Sequence, residues 1–264
     1  MGPDNGADAR PLTEAAPGVL VATAELYTTT STIIVGSGGG CLVVDPAITV
    51  TDVAGLAGAL TARGLHAAAG WSTHAHWDHL LWSRELGEVP RYATPRTAKT
   101  AQDERDGLIE GVSEVTPGHD LELYARVSPL AGPAVPWDGP AALVIEHDAH
   151  EAGHGALFLP DTGTLLAGDM LSDLEMPLIY AGGGDPLGQY RAGLEVLAAV
   201  TGVRAVVPGH GHVGDGAEFR RRVDADRRYL DRLAAGDPSA GEDNRITTDW
   251  LRTEHDRQFA LLHP

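Results

Sequence analysis

The sequence is poor in sulfur. Its 264 residues include a single cysteine, Cys41, so no intramolecular disulfide can form and nothing requires an oxidising compartment. Cys41 lies in the apolar, strand-like run Cys-Leu-Val-Val that starts at residue 41. A small buried thiol is therefore expected there, not a nucleophile.

Positive charge and long apolar runs are also scarce. With 19 basic and 37 acidic residues the formal net charge is −18, which repels phosphate backbones and disfavours a nucleic-acid partner. No apolar run approaches the roughly 18 residues of a membrane-spanning helix, and no signal-peptide pattern opens the chain. We expect a soluble, cytoplasmic protein without a membrane partner; the sequence does not indicate its oligomeric state.

Hydrophobic residues make up 43% of the chain, enough for a sizeable core, and the 33 glycines and 17 prolines suit a loop-rich domain. Strand-like and helix-like patterns alternate, but hairpins interrupt them. This mixture predicts an α/β fold with sheets covered by helices rather than a purely doubly wound sheet. We predict a mobile N-terminal tail over residues 1–17 and a single domain over residues 18–264.

One stretch stands out: His74-Ala75-His76-Trp77-Asp78-His79. On a helix at about 100° per residue, His74 and His76 would point to nearly opposite sides, and on a strand His79 would face away from the others. A turn is needed to aim all four side chains. We place it between a strand at residues 67–73 and a helix at residues 80–86. A further strand is predicted at residues 121–127.

Three more candidate ligands each follow a predicted strand. His150 opens the segment His-Glu-Ala-Gly-His, Asp169 follows Gly168, and His210 follows Pro208-Gly209. Loops at strand ends can be held rigidly by a sheet, so these side chains can converge on the turn. His147 and His154 are rivals of His150.

The pattern His-x-His-x-Asp-His, with the later segments in this order, resembles the metallo-β-lactamase superfamily over about residues 19–221. The resemblance implies a four-layer αββα sandwich with metal ions at one edge between the sheets. It also implies that His74, His76 and His150 hold one ion, that Asp78, His79 and His210 hold the other, and that Asp169 bridges them. The superfamily pattern favours the first histidine of the third segment, His150.

Such a site is expected to hold two divalent metal ions. Zinc accepts imidazole and carboxylate together and is the first choice, although iron or manganese also suits the donor set. The function expected is hydrolysis of an ester, lactone, thioester or amide of a small molecule by a metal-bridging hydroxide. Asp78 is the candidate catalytic residue, both as a ligand and as a carrier of the proton to the leaving atom.

Two alternatives stay open. A mononuclear-iron oxidoreductase similar to the persulfide dioxygenases would use His74, His76, His150 and Asp169 but would leave the other ligands without a purpose. A non-catalytic metal-binding module is the second alternative. Glutathione thioesters call for basic groups near the pocket to hold their carboxylates. The chain has one lysine, Lys99, and no obvious basic loop there, so the sequence does not favour this substrate over other acyl compounds.

The substrate-binding residues are less strongly indicated. Trp77 lies inside the turn and Tyr180 lies on the glycine-rich loop after Asp169, and both, with Trp82, are candidates for the pocket wall. Burial in the core is the alternative for each. The glycines at 182–184 would let the loop over residues 170–185 act as a lid.

Overall fold

The computed structural model describes residues 10–179, 182 and 184–264. Within these ranges it contains twelve β-strands and six α-helices. The strands are β1 (Thr13–Ala16), β2 (Val19–Thr23), β3 (Thr30–Val35), β4 (Gly40–Val44), β5 (His66–Trp71), β6 (Arg91–Ala93), β7 (Ser128–Pro129), β8 (Leu143–His147), β9 (His154–Leu159), β10 (Thr164–Gly168), β11 (Ala205–Pro208) and β12 (Gly214–Asp215). The helices are α1 (Val50–Thr61), α2 (Pro95–Asp103), α3 (Arg105–Val115), α4 (Pro186–Ala198), α5 (Gly216–Ala234) and α6 (Asp249–Leu262).

The strands form two sheets. The first has the order β1 to β7, and in it β4 and β5 run parallel; the second has the order β12-β11-β10-β9-β8, and in it β10 and β11 run parallel. Because β8 and β10 are both antiparallel to β9, they share one direction. The carboxyl ends of β8, β10 and β11 therefore meet at one edge of the second sheet.

Backbone and side-chain hydrogen bonds join the two sheets at this edge. The amide of Thr30 donates to the carbonyl oxygen of Gly209 at 2.8 Å, and the amide of Gly155 donates to that of Thr73 at 2.7 Å. The indole of Trp71 donates to the carbonyl oxygen of Gly155 at 2.9 Å. These bonds bring the ends of β4 and β5 against the ends of β8, β10 and β11.

The layers follow from three buried apolar clusters. One lies between the sheets and includes Leu42, Trp71 and Leu157. A second lies between the first sheet and α1, and a third packs the second sheet against α4, α5 and α6. Each fully buried aliphatic side chain contributes about 1.5–3 kcal/mol to stability. The order helix, sheet, sheet, helix is the predicted αββα sandwich.

Two local predictions differ from the structure. Residues 80–86 hold only a single 3-10 turn at residues 84–86, because Leu80, Leu81 and Trp82 are consecutive and all buried, which no one-sided helix allows. Residues 121–125 form turns and residues 126–127 have no regular structure, so the predicted strand is absent. The strand in this region is β7, which pairs with β6. The structure also contains a helix for which the sequence analysis makes no prediction: α3 follows α2 after a break at Glu104.

The N-terminal boundary also differs. Residues 10–17 are not a loose tail: Thr13–Ala16 form β1, paired with β2, and the guanidinium of Arg10 is buried. Arg10 donates to carbonyl oxygens of Ala22 and Ala47, which a buried charge requires. Residues 1–9 lie outside the described part of the chain.

Among the described residues, none of the helices combines the length and the apolar character needed to cross a lipid bilayer.

Candidate metal centre

The turn after β5 presents four of the predicted ligands. Residues 72–83 adopt neither helix nor strand, and the amide of His79 donates to the carbonyl oxygen of His76 at 3.2 Å. Thr73 fixes the start of the turn, since its amide and hydroxyl donate to the two carboxylate oxygens of Asp45 at 2.9 and 2.7 Å. Asp45 follows β4, so the parallel neighbour of β5 anchors the turn.

We call His74, His76, His150 and Asp169 the first ligand group. Each contributes one nitrogen or oxygen atom, and these atoms all lie within 4.8 Å of one another. His76 Nδ1 lies 3.1 Å from His150 Nε2. His74 Nε2 and His150 Nε2 each lie 3.5 Å from Asp169 Oδ2. The loop after β8 thus meets the turn after β5.

We call Asp78, His79 and His210 the second ligand group. Their ligand atoms also lie within 4.8 Å of one another. Asp78 Oδ2 lies 3.2 Å from His210 Nε2 and 3.6 Å from His79 Nε2. All three side chains are at least nine-tenths buried.

Asp169 contacts both groups. Besides its contacts with the first ligand group, its Oδ1 lies 3.1 Å from His79 Nε2 and its Oδ2 lies 3.3 Å from His210 Nε2. One carboxylate therefore faces four imidazoles. This is the placement that a bridging ligand requires.

Of the three neighbouring histidines, only His150 is brought to the ligand groups. His154 stacks on His74 with ring centroids 5.0 Å apart, and His147 stacks on His154 at 4.5 Å. Both are buried, and neither ring nitrogen of His154 has a hydrogen-bond partner among the described residues. They form a layer of imidazoles behind the first ligand group.

Each ligand imidazole has one ring nitrogen that faces the ligand groups and one that points away from them, which we call the outer nitrogen. In three of the rings the outer nitrogen contacts a polar group of the surrounding loops. His79 Nδ1 lies 2.9 Å from Asp45 Oδ2, His74 Nδ1 lies 3.1 Å from Thr73 Oγ1, and His150 Nδ1 lies 3.1 Å from the carbonyl oxygen of Leu178. An outer contact of this kind fixes the tautomer and the ring orientation of a metal-ligating histidine.

The other two imidazoles have similar contacts. His210 Nδ1 lies 3.1 Å from the carbonyl oxygen of Tyr27, and His76 Nε2 lies 3.4 Å from Glu151 Oε2. With each outer nitrogen occupied, the inner nitrogens of four rings face the carboxylate of Asp78 or Asp169, and that of His76 faces His150 Nε2. The chain itself therefore presets which nitrogen is free to ligate.

Burial and charge set the protonation of the two groups differently. Burial, reinforced by nearby imidazoles, lowers the pKa of His74 well below its usual value and that of His150 to about 3. Burial opposes charge at His79 and His210 as well, but Asp169 and Asp78 outweigh it and raise their pKa values well above normal. His74 and His150 are thus neutral and ready to ligate, whereas His79 and His210 would release protons on binding a cation.

The carboxylates stay ionised. Burial would raise the pKa of Asp169, yet the imidazoles of His79, His210 and His74 lower it well below its usual range. Asp78 is likewise lowered by His79 and His210 against the effect of burial. Both are available as anionic ligands.

Two glycines give these side chains room. A Cβ atom at Gly209 would lie 2.0 Å from Asp169 Oδ1 and 2.9 Å from His79 Cε1. A Cβ atom at Gly168, whose φ is +55°, would lie 2.3 Å from His154 Nε2. The glycines before Asp169 and His210 are therefore required by close packing at the site, not by the turns alone.

The residues present fit divalent metal ions. Among the described residues, His74 Nε2, His79 Nε2 and Asp169 Oδ1 are buried without a hydrogen-bond partner. Buried polar atoms seldom stay unpaired, and each that does calls for an explanation. Inward-facing imidazole nitrogens around ionised carboxylates form the mixed N/O donor set that zinc accepts.

The predicted substrate residues are only partly accounted for. Trp77 is half-buried and packs on α3 at Gly111, so its substrate contact stays a prediction. Tyr180 lies outside the described residues. Trp82 is in the core, where the guanidinium of Arg91 lies 5.5 Å from its ring centroid.

The predicted lid is restricted by packing. Met170, Leu171, Met176 and Ile179 are at most 2% exposed and belong to the core beside the second sheet. Residues 180, 181 and 183 of the same loop lie outside the described part of the chain. A lid movement of the whole loop over 170–185 is therefore not compatible with this packing.

Sequence reasoning missed two acidic residues at the site. Asp45 carried a usable signal, because it ends a strand just as the candidate ligands do. Glu175 carried none: it lies in an irregular loop, and burial raises its pKa to about 7, with a further upward contribution from Asp169 and Asp78. Its carboxyl group is half-buried and lies close enough to Asp169, Asp78 and His210 to interact with their charges.

The chain is similar in sequence to proteins of one known family. Residues 26–210 match the family described as the metallo-beta-lactamase superfamily. Among curated relatives, a hydroxyacylglutathione hydrolase of Acidiphilium cryptum is 27% identical over 240 residues, covering 87% of this chain and 88% of that protein. A hydroxyacylglutathione hydrolase of Brucella anthropi is 26% identical over 204 residues, covering 74% and 70%.

Solved structures show the same architecture. A metallo-beta-lactamase family protein from Thermus thermophilus superimposes with a TM-score of 0.67 at 21% identity, covering 93% of this chain and 92% of that one. A beta-lactamase domain protein from Burkholderia ambifaria gives a TM-score of 0.69 at 19% identity, covering 89% and 79%.

Proposed function

Because the chain belongs to the metallo-β-lactamase superfamily, we propose that it is a hydrolase that holds two divalent metal ions, with zinc first, and cleaves an acyl bond of a small molecule. One observation carries this proposal. Asp169 faces imidazoles of both ligand groups, so seven side chains from four loops converge on one buried centre.

The proposed ligands divide as the two groups do. His74, His76 and His150 would hold one ion, Asp78, His79 and His210 the other, and Asp169 both. Divalent ions held this way supply a water whose pKa is lowered to roughly 7 and a Lewis acid for the scissile carbonyl.

The remaining steps belong to the chain. The ionised carboxylate of Asp78, 3.2 Å from His210 Nε2, orients the attacking water and then carries its proton to the leaving atom. Asp45 keeps His79 in the tautomer that presents Nε2 to the centre. Asp78→Asn is expected to slow turnover while two metal ions remain bound; full turnover in that variant would contradict the role of Asp78.

Among acyl bonds, a thioester is the first candidate, because the relatives of known activity are hydroxyacylglutathione hydrolases. Lys99 does not supply a basic contact for a glutathione carboxylate, since it pairs with Asp103 on the exposed face of α2. The proposal therefore specifies that an acyl bond is cleaved. The assay determines which thiol forms the other half of the thioester.

The test is a substrate panel with the zinc-loaded protein: acyl thioesters, lactones, chromogenic esters and a cephalosporin. The proposal expects hydrolysis of at least one acyl class, its loss with a chelator and its return when zinc is restored. Two bound ions without turnover across the panel would leave a metal-binding module instead.

The oxygenase alternative makes a different prediction. It would use one iron ion at the first ligand group and consume oxygen with a persulfide substrate. The assembled second ligand group argues against it, because a single-ion enzyme has no use for Asp78, His79 and His210 as ligands. Oxygen consumption with one iron ion per chain would overturn the hydrolase proposal.

A further inference from the structure

The last helix contains a buried polar side chain that the function proposed so far does not use. Gln258 of α6 has no exposed surface and lies within the apolar layer beside the second sheet. Burying a side-chain amide costs free energy unless its polar atoms are hydrogen-bonded. Such a residue therefore needs a specific partner.

Gln258 has one at each end. Its Oε1 accepts a hydrogen bond from the amide of Ile179, and its Nε2 donates to the hydroxyl of Tyr229 at 3.0 Å. The Tyr229 hydroxyl in turn lies 3.0 Å from Nδ1 of His255, whose pKa is lowered by burial, so that the ring is a neutral acceptor. Gln258 thus donates a hydrogen bond to a residue of α5 and accepts one from the loop that contains Ile179.

The peptide group that donates to Gln258 also contacts a candidate metal ligand, His150, on its other side. The amide of Ile179 and the carbonyl of Leu178 belong to one planar peptide unit, and in a trans peptide these two groups point in opposite directions. Gln258 holds the amide side, and His150 Nδ1 lies 3.1 Å from the carbonyl oxygen on the other side. A rotation of this plane would break both contacts together.

We propose that Gln258 is a positioning residue for His150, acting through the peptide unit between Leu178 and Ile179. The inference rests on the proposed function, since it assigns His150 the role of a metal ligand. Helix α6 lies beyond residue 210, where the match to the family ends. The C-terminal helix of this chain would then take part in setting the affinity of the first ligand group.

The physical basis is the linkage of hydrogen bonds. A peptide unit whose amide is bound to Gln258 is a fixed and polarised acceptor for the His150 Nδ1–H group. That acceptor keeps the proton on Nδ1 and leaves Nε2 free to ligate. Without Gln258 the Ile179 amide would be buried and unpaired, and the plane would turn to find another partner.

The experiment compares Gln258→Met with Gln258→Glu. Methionine matches the length of glutamine but cannot accept the Ile179 amide, whereas glutamate keeps an acceptor oxygen. Zinc affinity is measured by competition with a chromophoric chelator, and cobalt-loaded protein reports ligand geometry by its visible absorption. We expect Gln258→Met to lose about 10–100-fold in affinity at one of two sites, as removal of an outer contact does, and Gln258→Glu to retain most of it.

Leu251→Ala is the matched control for general loosening. Leu251 is buried in the same helix and core, but its apolar side chain can form no hydrogen bond with the loop that carries Leu178. It should lower the melting temperature and leave zinc affinity and the cobalt spectrum unchanged. Equal losses in Leu251→Ala and Gln258→Met, or wild-type affinity in Gln258→Met, would overturn the inference.

Hydrogen exchange of the wild-type protein gives a second test that needs no variant. The amide of Ile179 should exchange as slowly as the amides in the middle of α6, and more slowly still with zinc bound. Fast exchange of this amide would contradict the inference even if Gln258→Met failed to fold. Wild-type protein that bound no second zinc ion would instead count against the proposed function, so the two failures are distinguishable.

Discussion

The two ligand groups are built from the same residue types but are supported by different chemistry. In the second group, His79 contacts the buried carboxylate of Asp45 at 2.9 Å, and that carboxylate is itself fixed by two bonds from Thr73. In the first group, His74 and His150 contact a hydroxyl and a carbonyl oxygen. The second group thus has a fixed, buried ion-pair partner behind His79. In the first group the two buried imidazoles contact neutral dipoles, and only the partly exposed His76 faces a carboxylate, that of Glu151 at 3.4 Å.

This difference would give the two ions of the proposed site different properties. A carboxylate behind an imidazole raises its basicity as a ligand, whereas a carbonyl mainly orients it. His74 and His150 of the first group are already neutral, but His79 and His210 of the second must lose protons before they can ligate. We therefore expect the second group to depend more strongly on its outer contact and on pH.

The largest effect is expected from the one residue that the groups share. Asp169→Asn keeps the shape of the side chain but removes the charge that faces His79, His210, His74 and His150. We expect both ions to be lost, with affinity and turnover down by more than about 100-fold, beyond the effect of an outer contact.

Asp173→Asn is the matched control for this substitution. Asp173 lies nearby in sequence but pairs with His212 and Arg222, outside the ligand groups. Metal content measured by mass spectrometry should stay at the wild-type value in Asp173→Asn. Retention of two ions by Asp169→Asn would show that the groups are independent, contrary to our account.

Steric disruption should come next. Gly209→Ala would place a Cβ atom 2.0 Å from Asp169 Oδ1, so the carboxylate must move from between the groups. We expect a loss of metal affinity on the order of 100-fold, similar to the upper range for a displaced supporting group.

Gly58→Ala tests the same substitution where space is open. Gly58 is exposed in α1 and has nothing within 4 Å of an added Cβ atom. It should raise stability by about 0.5–1 kcal/mol, as expected for a helix interior, and leave metal binding unchanged. Thermal unfolding and zinc titration of the two variants check both statements.

The asymmetry itself is tested by removing one charge from behind each group. Asp45→Asn should weaken zinc binding about 10–100-fold, because His79 loses a buried charged partner. Glu151→Gln should weaken zinc binding only a few-fold, about the low end of that range. The reason is that its carboxylate lies 3.4 Å from His76 Nε2 and the side chain of His76 is 40% exposed. Chelator competition with both variants would show the account to be wrong if Glu151→Gln were the more damaging.

Folding stability, rather than metal binding, depends on the layer of imidazoles behind the first group. Burial lowers the pKa of His147 from 6.5 to about 4, so the unfolded chain binds more protons than the folded chain between these values. The folded state gains stability from this residue above pH 6.5 and loses it as the pH falls towards 4. The full difference is on the order of 3 kcal/mol, at 1.36 kcal/mol per pKa unit.

His147→Asn removes this titration and keeps an acceptor for the amide of Ala149, which lies 3.3 Å from His147 Nδ1. Urea unfolding of the metal-free proteins between pH 7 and 4 should show a shallower loss of stability in the variant. Parallel curves for the two proteins would mean that His147 is not buried in its neutral form.

Much of the centre follows from the sequence because its ligands are close together or end strands. The turn at residues 74–79 is local, and Asp169 and His210 come after Gly168 and Gly209, so their place at one sheet edge follows from strand direction alone. The outer contacts do not follow in this way. Asp45 and His79 are 34 residues apart, and Leu178 and His150 are 28 apart. No local pattern pairs them.

The fold shows the same division. The alternation of strands and helices predicts sheets covered by helices. The predictions for the connections are wrong where buried residues do not recur with the period of a helix or a strand. Leu80, Leu81 and Trp82 look like the start of a helix but are three consecutive core residues. The strand predicted at 121–127 is instead a series of turns that Arg91 and Arg105 bind through backbone oxygens.

The most direct test of the account is the number of zinc ions that the wild-type protein binds. Metal-free protein titrated with zinc at pH 7 and followed by native mass spectrometry should reach two ions per chain, with protons released into the buffer as the second group fills. Saturation at one ion, or filling of both groups without proton release, would contradict the central claim that two unlike ligand groups share Asp169.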